Sequence, residues 1–301
     1  MIETIHKHAL LSFPMSVRKL LEATHSSPTF DGVINAAEAR SLAESLSFSL
    51  PQLMTSLVPV AAGYSRPEIS GYPVGGVGLG MSGNLYYGAN LEFPGGTLSE
   101  TLHAEQSVIL NAWLHAEQGL TALALPAPPC GHCRQFLYEI DNSLNLVVSI
   151  RDRSPSLLSE LLPVPFGPRE LGITSALMKP QSHRLSLAVP SDDPVTLTAL
   201  AAANACYAPY TRGYAGAAIL TRDGRVFIGR YCENAAYNPT TNPIICALSQ
   251  MLLARLDYSQ IARVVLVQAS PSKSSQVELS RRIIKRCSTA EVEAHFCESV
   301  A

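Results

Sequence analysis

The chain has 301 residues, 47% of them hydrophobic and 15% charged, which fits one or two packed cores and excludes a disordered chain. Lys and Arg number 22 against 24 Asp and Glu, for a formal charge of −2; a surface built to hold nucleic acid carries a clear basic excess, so no nucleic-acid partner is expected. No apolar run reaches the roughly 18 residues of a membrane span, so no membrane segment is expected either.

The opening residues Met1 to Lys7 lack a basic stretch followed by an apolar one, and no secretory signal is expected. Glu3 and Glu22 sit where transit peptides are poor in acids. The seven cysteines are odd in number and five are scattered, which fits a reduced, cytoplasmic protein better than a disulfide framework.

Residues 1–50 read as a small helical segment, mostly solvated, with 36–46 rich in helix formers and a stop near Pro51. Residues 73–81 form an apolar strand that meets a turn at Ser82-Gly83-Asn84, and an aromatic strand follows, as in a hairpin. Gly78 to Gly83 matches G-x-G-x-x-G, but strand-like residues follow it where a dinucleotide site needs a helix, so it reads as a hairpin turn. A helix is predicted over 102–117, then a buried strand at 123–125, then a helix starting at Pro129-Cys130. Prolines 155, 163, 165 and 168 resist regular structure, and an inter-domain connection is placed there, running to about Asp193.

The chain then repeats itself. Shifted by 141 residues, Gly83 falls on Gly224, Gly88 on Gly229, Glu92 on Glu233 and Gly75 on Gly216. Self-similarity that keeps its register implies a duplication. The expected fold is α/β with three α/β/α layers in each copy. The expected domains are 51–160, a connection over 161–190, and 191–301. The same shift sets His103-Ala104-Glu105 on Ile244-Ile245-Cys246 and Pro129–Cys133 on Ser270–Ser274, so the second copy is expected to be a scaffold without a metal site.

The chemistry concentrates in His103-Ala104-Glu105 and Pro129-Cys130-Gly131-His132-Cys133. Two cysteines three apart at a helix start share one face, and the helix N-terminus lowers thiol pKa. Two thiolates and one imidazole suit zinc. Three protein ligands, His103, Cys130 and Cys133, leave one position for water, the catalytic arrangement. Glu105, two residues past His103, points elsewhere and is placed beside that water as a proton carrier. The combination matches the signature of zinc-dependent nucleobase deaminases. A thiol–disulfide site is the rival reading, but it leaves His103 and Glu105 unexplained. A structural zinc lacks its fourth ligand; His132 reads as a local polar contact between the thiols. The run Arg281-Arg282-Ile283-Ile284-Lys285-Arg286 reads as a solvated helix face with both isoleucines inward. The remaining histidines, His6 and His25 among them, read as surface or satisfied core groups, and the five scattered cysteines as small buried residues.

Over about residues 50–301 the sequence resembles the cytidine deaminase family, in its larger homodimeric branch of enteric bacteria and plants. Beyond the two zinc motifs, Tyr87–Phe93, Leu162–Pro168 and Glu233–Pro239 carry the likeness. The resemblance implies one zinc per subunit and hydrolysis of cytidine and deoxycytidine to the uridines with release of ammonia, a pyrimidine-salvage reaction. It implies zinc-activated hydroxide attacking C4, with Glu105 moving the protons. It gives Asn90 and Glu92 to the ribose hydroxyls and sets Tyr72 where the family often has a pyrimidine-packing Phe. Ala104 joins the substrate contacts. Phe166 resembles an aromatic that reaches the neighbouring subunit's site, which implies a homodimer.

Overall fold

In the computed structural model, which describes residues 2–299, the chain forms two mixed sheets flanked by helices. Helices α1 (Ile2–Leu10) and α2 (Met15–Ser26), strand β1 (Val33–Ile34) and helix α3 (Ala36–Leu46) lead into α4 (Leu50–Ala62). Then come β2 (Gly75–Gly80), β3 (Leu85–Ala89), α5 (Ala104–Leu114), β4 (Leu120–Leu125), α6 (Gly131–Leu137) and β5 (Val147–Ile150). Strand β6 (Ser156–Leu157), α7 (Leu158–Leu161) and β7 (Leu185–Leu187) lie along the connection. The second copy runs through α8 (Pro194–Asn204), β8 (Ala215–Thr221), β9 (Val226–Arg230), α9 (Pro243–Leu253), β10 (Ile261–Ala269), α10 (Val277–Cys287) and β11 (Val292–Ser299).

The sheet orders are β1-β3-β2-β4-β5-β6 and β7-β11-β10-β8-β9. Both copies thus carry an antiparallel hairpin beside a parallel pair, β4 with β5 and β10 with β11, each joined through a helix. The first sheet packs α4 on one face, through Val77, Tyr87 and Ala124, and α5 on the other, through Tyr86 and Leu123. The second packs α8 on one face, through Ala218 and Val265, and α9 on the other. Helices α5 and α9 share one apolar core between the copies. That accounts for α5 being buried along nearly its whole length, since a helix covered on all sides shows no polar stripe.

The glycine pairs of the repeat have physical causes. Gly83 and Gly224 turn the two hairpins at φ +87 and +86, where a Cβ is strained. A Cβ on Gly88 would run into the backbone of Ala104 and Val108 on α5, and one on Gly229 into Pro243 and Ala247 on α9. These positions let each central helix lie directly on its sheet.

Three expectations need refinement. Residues 6–50 are exposed at about half of their positions, as expected, but Leu10, Phe13, Val17, Leu21, Phe30, Ile34 and Leu42 are buried in the core around α4, and β1 joins the first sheet. Their apolar spacing covers a sheet face that α4 alone leaves open. Within the expected connection, β7 pairs with β11 and closes the second sheet. In α10, Ile283 and Ile284 are buried as expected, but Arg282 and Arg286 do not simply face water; both bond the buried Glu100. No helix among the described residues is long and apolar enough to cross a membrane.

Candidate metal centre and active site

Strand β4 ends at Leu125, and Pro126–Pro129 carry the chain to Cys130, the N-cap of α6. His103 is the N-cap of α5, and its N–H donates to the Gln106 side chain at 3.2 Å. Two helix starts therefore meet beside one strand end. His103 Nδ1 lies 3.6 Å from Cys130 Sγ and 3.3 Å from Cys133 Sγ. All three ligand atoms lie within 4.8 Å of one another, and among the described residues no other group of three or more such side chains does. Zn–N near 2.0–2.1 Å and Zn–S near 2.3 Å at a tetrahedral angle place N and S about 3.6 Å apart. The donor set and its spacing fit zinc.

Hydrogen bonds from Cys133 and His103 hold the Cys130 thiol down at about 3. The same Cys130 sulfur, with burial, pushes Cys133 well above the usual thiol range and, as hydrogen-bond partner, raises His103. Two sulfurs and an imidazole nitrogen at this spacing are a donor set for a divalent cation. Glu105 is buried beside this cluster, which raises its carboxyl.

A cavity of about 280 Å³ opens beside His103 and Cys130, just under the usual range for ligand sites. His103, Cys130, Ala104, Glu105, Asn90, Glu92 and Tyr72 all line it. A larger cavity of about 890 Å³ lies among His6, Tyr64 and Arg255, but it holds no metal-capable triad. Asn90 accepts from Val74 N at 2.9 Å and donates to Tyr72 O at 3.2 Å. Glu92 accepts from Ile69 N and Ser70 N, both at 2.8 Å, and from Ser70 Oγ at 2.7 Å. The Ser70 hydroxyl and the backbone donors hold Glu92 below the usual carboxylate range against the cost of its burial. These two residues thus shape the rim loop 69–74 as well as lining the cavity.

Phe166 stands apart: it does not line this cavity, it is 48% exposed, and its carbonyl accepts from Gln135. His132 stacks against His103 at 5.9 Å between ring centroids, rather than standing between the thiols. Sequence reasoning missed Ser70, Val74, Thr101 and the Pro126-Ala127-Pro128 wall. Only the proline-rich run was a usable signal, as a rigid approach to Cys130.

The second copy lacks the triad, and in a register different from the ungapped shift. Bridges Leu91–Leu102 and Cys232–Thr241 show its loop to be two residues shorter. Asn242, the N-cap of α9, stands where His103 caps α5, so Asn242-Pro243-Ile244 replaces His103-Ala104-Glu105. Gln276 caps α10 as Cys130 caps α6. Asn242 Nδ2 donates to Gln276 Oε1 at 3.1 Å and Ser280 Oγ at 3.2 Å, all buried. A neutral amide and hydroxyl cluster fills the place that the triad holds in the first copy.

Residues 49–149 and 158–281 each match a family model of the cytidine and deoxycytidylate deaminase zinc-binding region. The cytidine deaminase of Aeromonas hydrophila is 45% identical over 241 residues, covering 80% of this chain and 82% of its own. That of Photorhabdus laumondii is 39% identical over 274 residues, covering 91% and 92%. The solved cytidine deaminase of Mycobacterium tuberculosis, 31% identical, covers 38% of this chain and 96% of its own with a TM-score of 0.36. The chain belongs to the cytidine and deoxycytidylate deaminase zinc-binding family.

Proposed function

We propose that this protein deaminates cytidine and deoxycytidine to uridine and deoxyuridine, releasing ammonia, with one zinc held by His103, Cys130 and Cys133. One observation carries the reading: His103 and Cys130 of the metal-capable triad and the buried Glu105 line a single cavity with room for one small ligand, with Cys133 buried beside them. Zinc bound there supplies a water acidic enough to be a nucleophile near neutral pH. Glu105 takes one proton from the attacking water and delivers it to N3 of the base, then takes the remaining proton from the new C4 hydroxyl and passes it to the amino nitrogen, which leaves as ammonia as the C4 carbonyl forms. Its burial keeps solvent from competing for that proton. Asn90 and Glu92 receive the ribose hydroxyls at the rim. Tyr72 covers the base, and the Ala104 backbone borders it.

In this reading residues 51–160 are the catalytic unit, 161–190 the connection and 191–301 the scaffold. The protein works as a homodimer in the cytoplasm, in pyrimidine salvage. The exposed apolar side chains Val164 and Phe166 on the connection support a second copy as partner, at 87% and 48% exposure. Phe166, turned away from its own cavity, reaches the partner's.

The test is Glu105→Gln with zinc content and turnover read together. Zinc should be retained while kcat on cytidine falls by about 10² to 10⁴. Near-normal turnover would remove Glu105 from the mechanism. Deamination of single-stranded oligonucleotide at a rate matching cytidine would refute the free nucleoside as substrate.

A further inference from the structure

Glu139 lies six positions past Cys133, next to Tyr138, which caps the C-terminal end of α6, and is fully buried. Its Oε2 accepts from Tyr207 Oη at 2.8 Å and Tyr210 Oη at 2.7 Å, and its Oε1 from Ala235 N at 2.8 Å. All three donors belong to the second copy. One turn earlier on α6, Gln135 O accepts from Asn234 Nδ2 at 3.0 Å. The far end of the helix that bears Cys133 is therefore moored to the second copy. The near end is tied within the first copy, where Arg134 donates to Pro129 O at 2.8 Å and to Leu161 O at 2.9 Å.

The donors are themselves fixed. Glu233 accepts from Tyr210 N at 2.9 Å, Thr211 N at 3.1 Å and the Thr211 hydroxyl. This repeats the clamp of Glu92 on Ile69 and Ser70. In the first copy the clamp shapes the rim of the cavity. In the second it fixes the backbone of Tyr210, and Glu233 N donates to Tyr207 O at 2.8 Å, so both phenols that reach Glu139 are held by one residue.

Phe136 and Leu137 bury one face of α6 in the core, but apolar burial is non-directional. Hydrogen bonds set the direction. Four residues of helix, from Cys133 to Leu137, span about 6 Å, so a tilt of about 8° about the moored end moves a sulfur by about 0.8 Å. Sites of this kind tolerate about 0.5 Å.

We propose that Glu139 is a positioning residue for the metal centre: through α6 it sets Cys133 against Cys130 and His103, and the second copy holds it in place. This rests on the triad being the zinc site.

Zinc release to a chromophoric chelator and cytidine turnover, measured on the whole chain, test it. Tyr207→Phe/Tyr210→Phe keeps both rings and removes two donors. It should release zinc about tenfold faster or more, and lose kcat on a similar scale, with KM for cytidine within about twofold. Tyr210→Phe alone, a milder change, should move both readouts the same way by less. Glu139→Gln should stay within about threefold of wild type, because its amide oxygen can take the Ala235 N–H while its NH2 donates to the phenols. Val265→Ala, in the core between α8 and the second sheet, should lower stability without hastening zinc release. Wild-type release rates in folded Tyr207→Phe/Tyr210→Phe, or in Tyr210→Phe where the double variant does not fold, would overturn the assignment. So would equally fast release in Val265→Ala, or Glu139→Gln falling as far as the double variant. A wild-type chain that binds no zinc would instead sink the metal reading beneath it.

Discussion

Acidification between pH 7.5 and 5 should destabilise the fold through His6 and His25. Both are buried, with ring centroids 5.1 Å apart, and His25 also packs on Phe30 and Tyr87. Burial, with Arg255 nearby, holds His6 down at about 4. Burial, with His6 and Arg255, holds His25 down at about 2. A lowered folded-state value means that the unfolded chain binds protons first, near its ordinary 6.5. Stability is therefore full above that value and drains as pH falls toward the folded values. At pH 5 each ring is about 1.5 units below its unfolded value and still neutral in the fold, a loss of about 2 kcal/mol each and about 4 kcal/mol together. Urea unfolding of wild type and of His6→Gln/His25→Gln at the two pH values isolates this share from that of the carboxylates. The wild type should lose about 4 kcal/mol more than the variant. Equal losses would show that these rings are protonated or solvated in the folded chain, and would refute the reasoning.

Gly88→Ala puts a methyl against the backbone of α5, where no flexible atom can yield; the fold should lose about 3 kcal/mol or more by thermal unfolding, and zinc content should fall with it. Arg286→Met leaves Glu100, 4% exposed, with only Arg282 at 3.4 Å. It should cost about 2–3 kcal/mol, and adding Glu100→Gln should recover most of that, which a double-mutant cycle measures.

The triad and Glu105 were legible because metal ligation imposes residue types and spacing at helix starts. The duplication was legible because contacts at Gly88 and Gly229 tolerate no side chain, so both copies keep them. The register past Glu233 was not: a loop two residues shorter moved Asn242 into the place of His103, and an ungapped shift cannot see that. The buried face of residues 6–50 escaped because its anchors, such as Val17 and Leu21 on α2 and Phe30 in the loop after it, sit on short elements that look marginal alone. Glu139 carried no local signal, since its partners lie some seventy residues or more away, at Tyr207, Tyr210 and Ala235.

Zinc stoichiometry followed against cytidine turnover through removal and return of the metal is the most direct measurement. One zinc per chain is expected, with turnover lost in step with zinc under a chelator and recovered on adding zinc back, and none of this in Cys133→Ala. A folded, zinc-free chain that deaminates cytidine at the wild-type rate would contradict it.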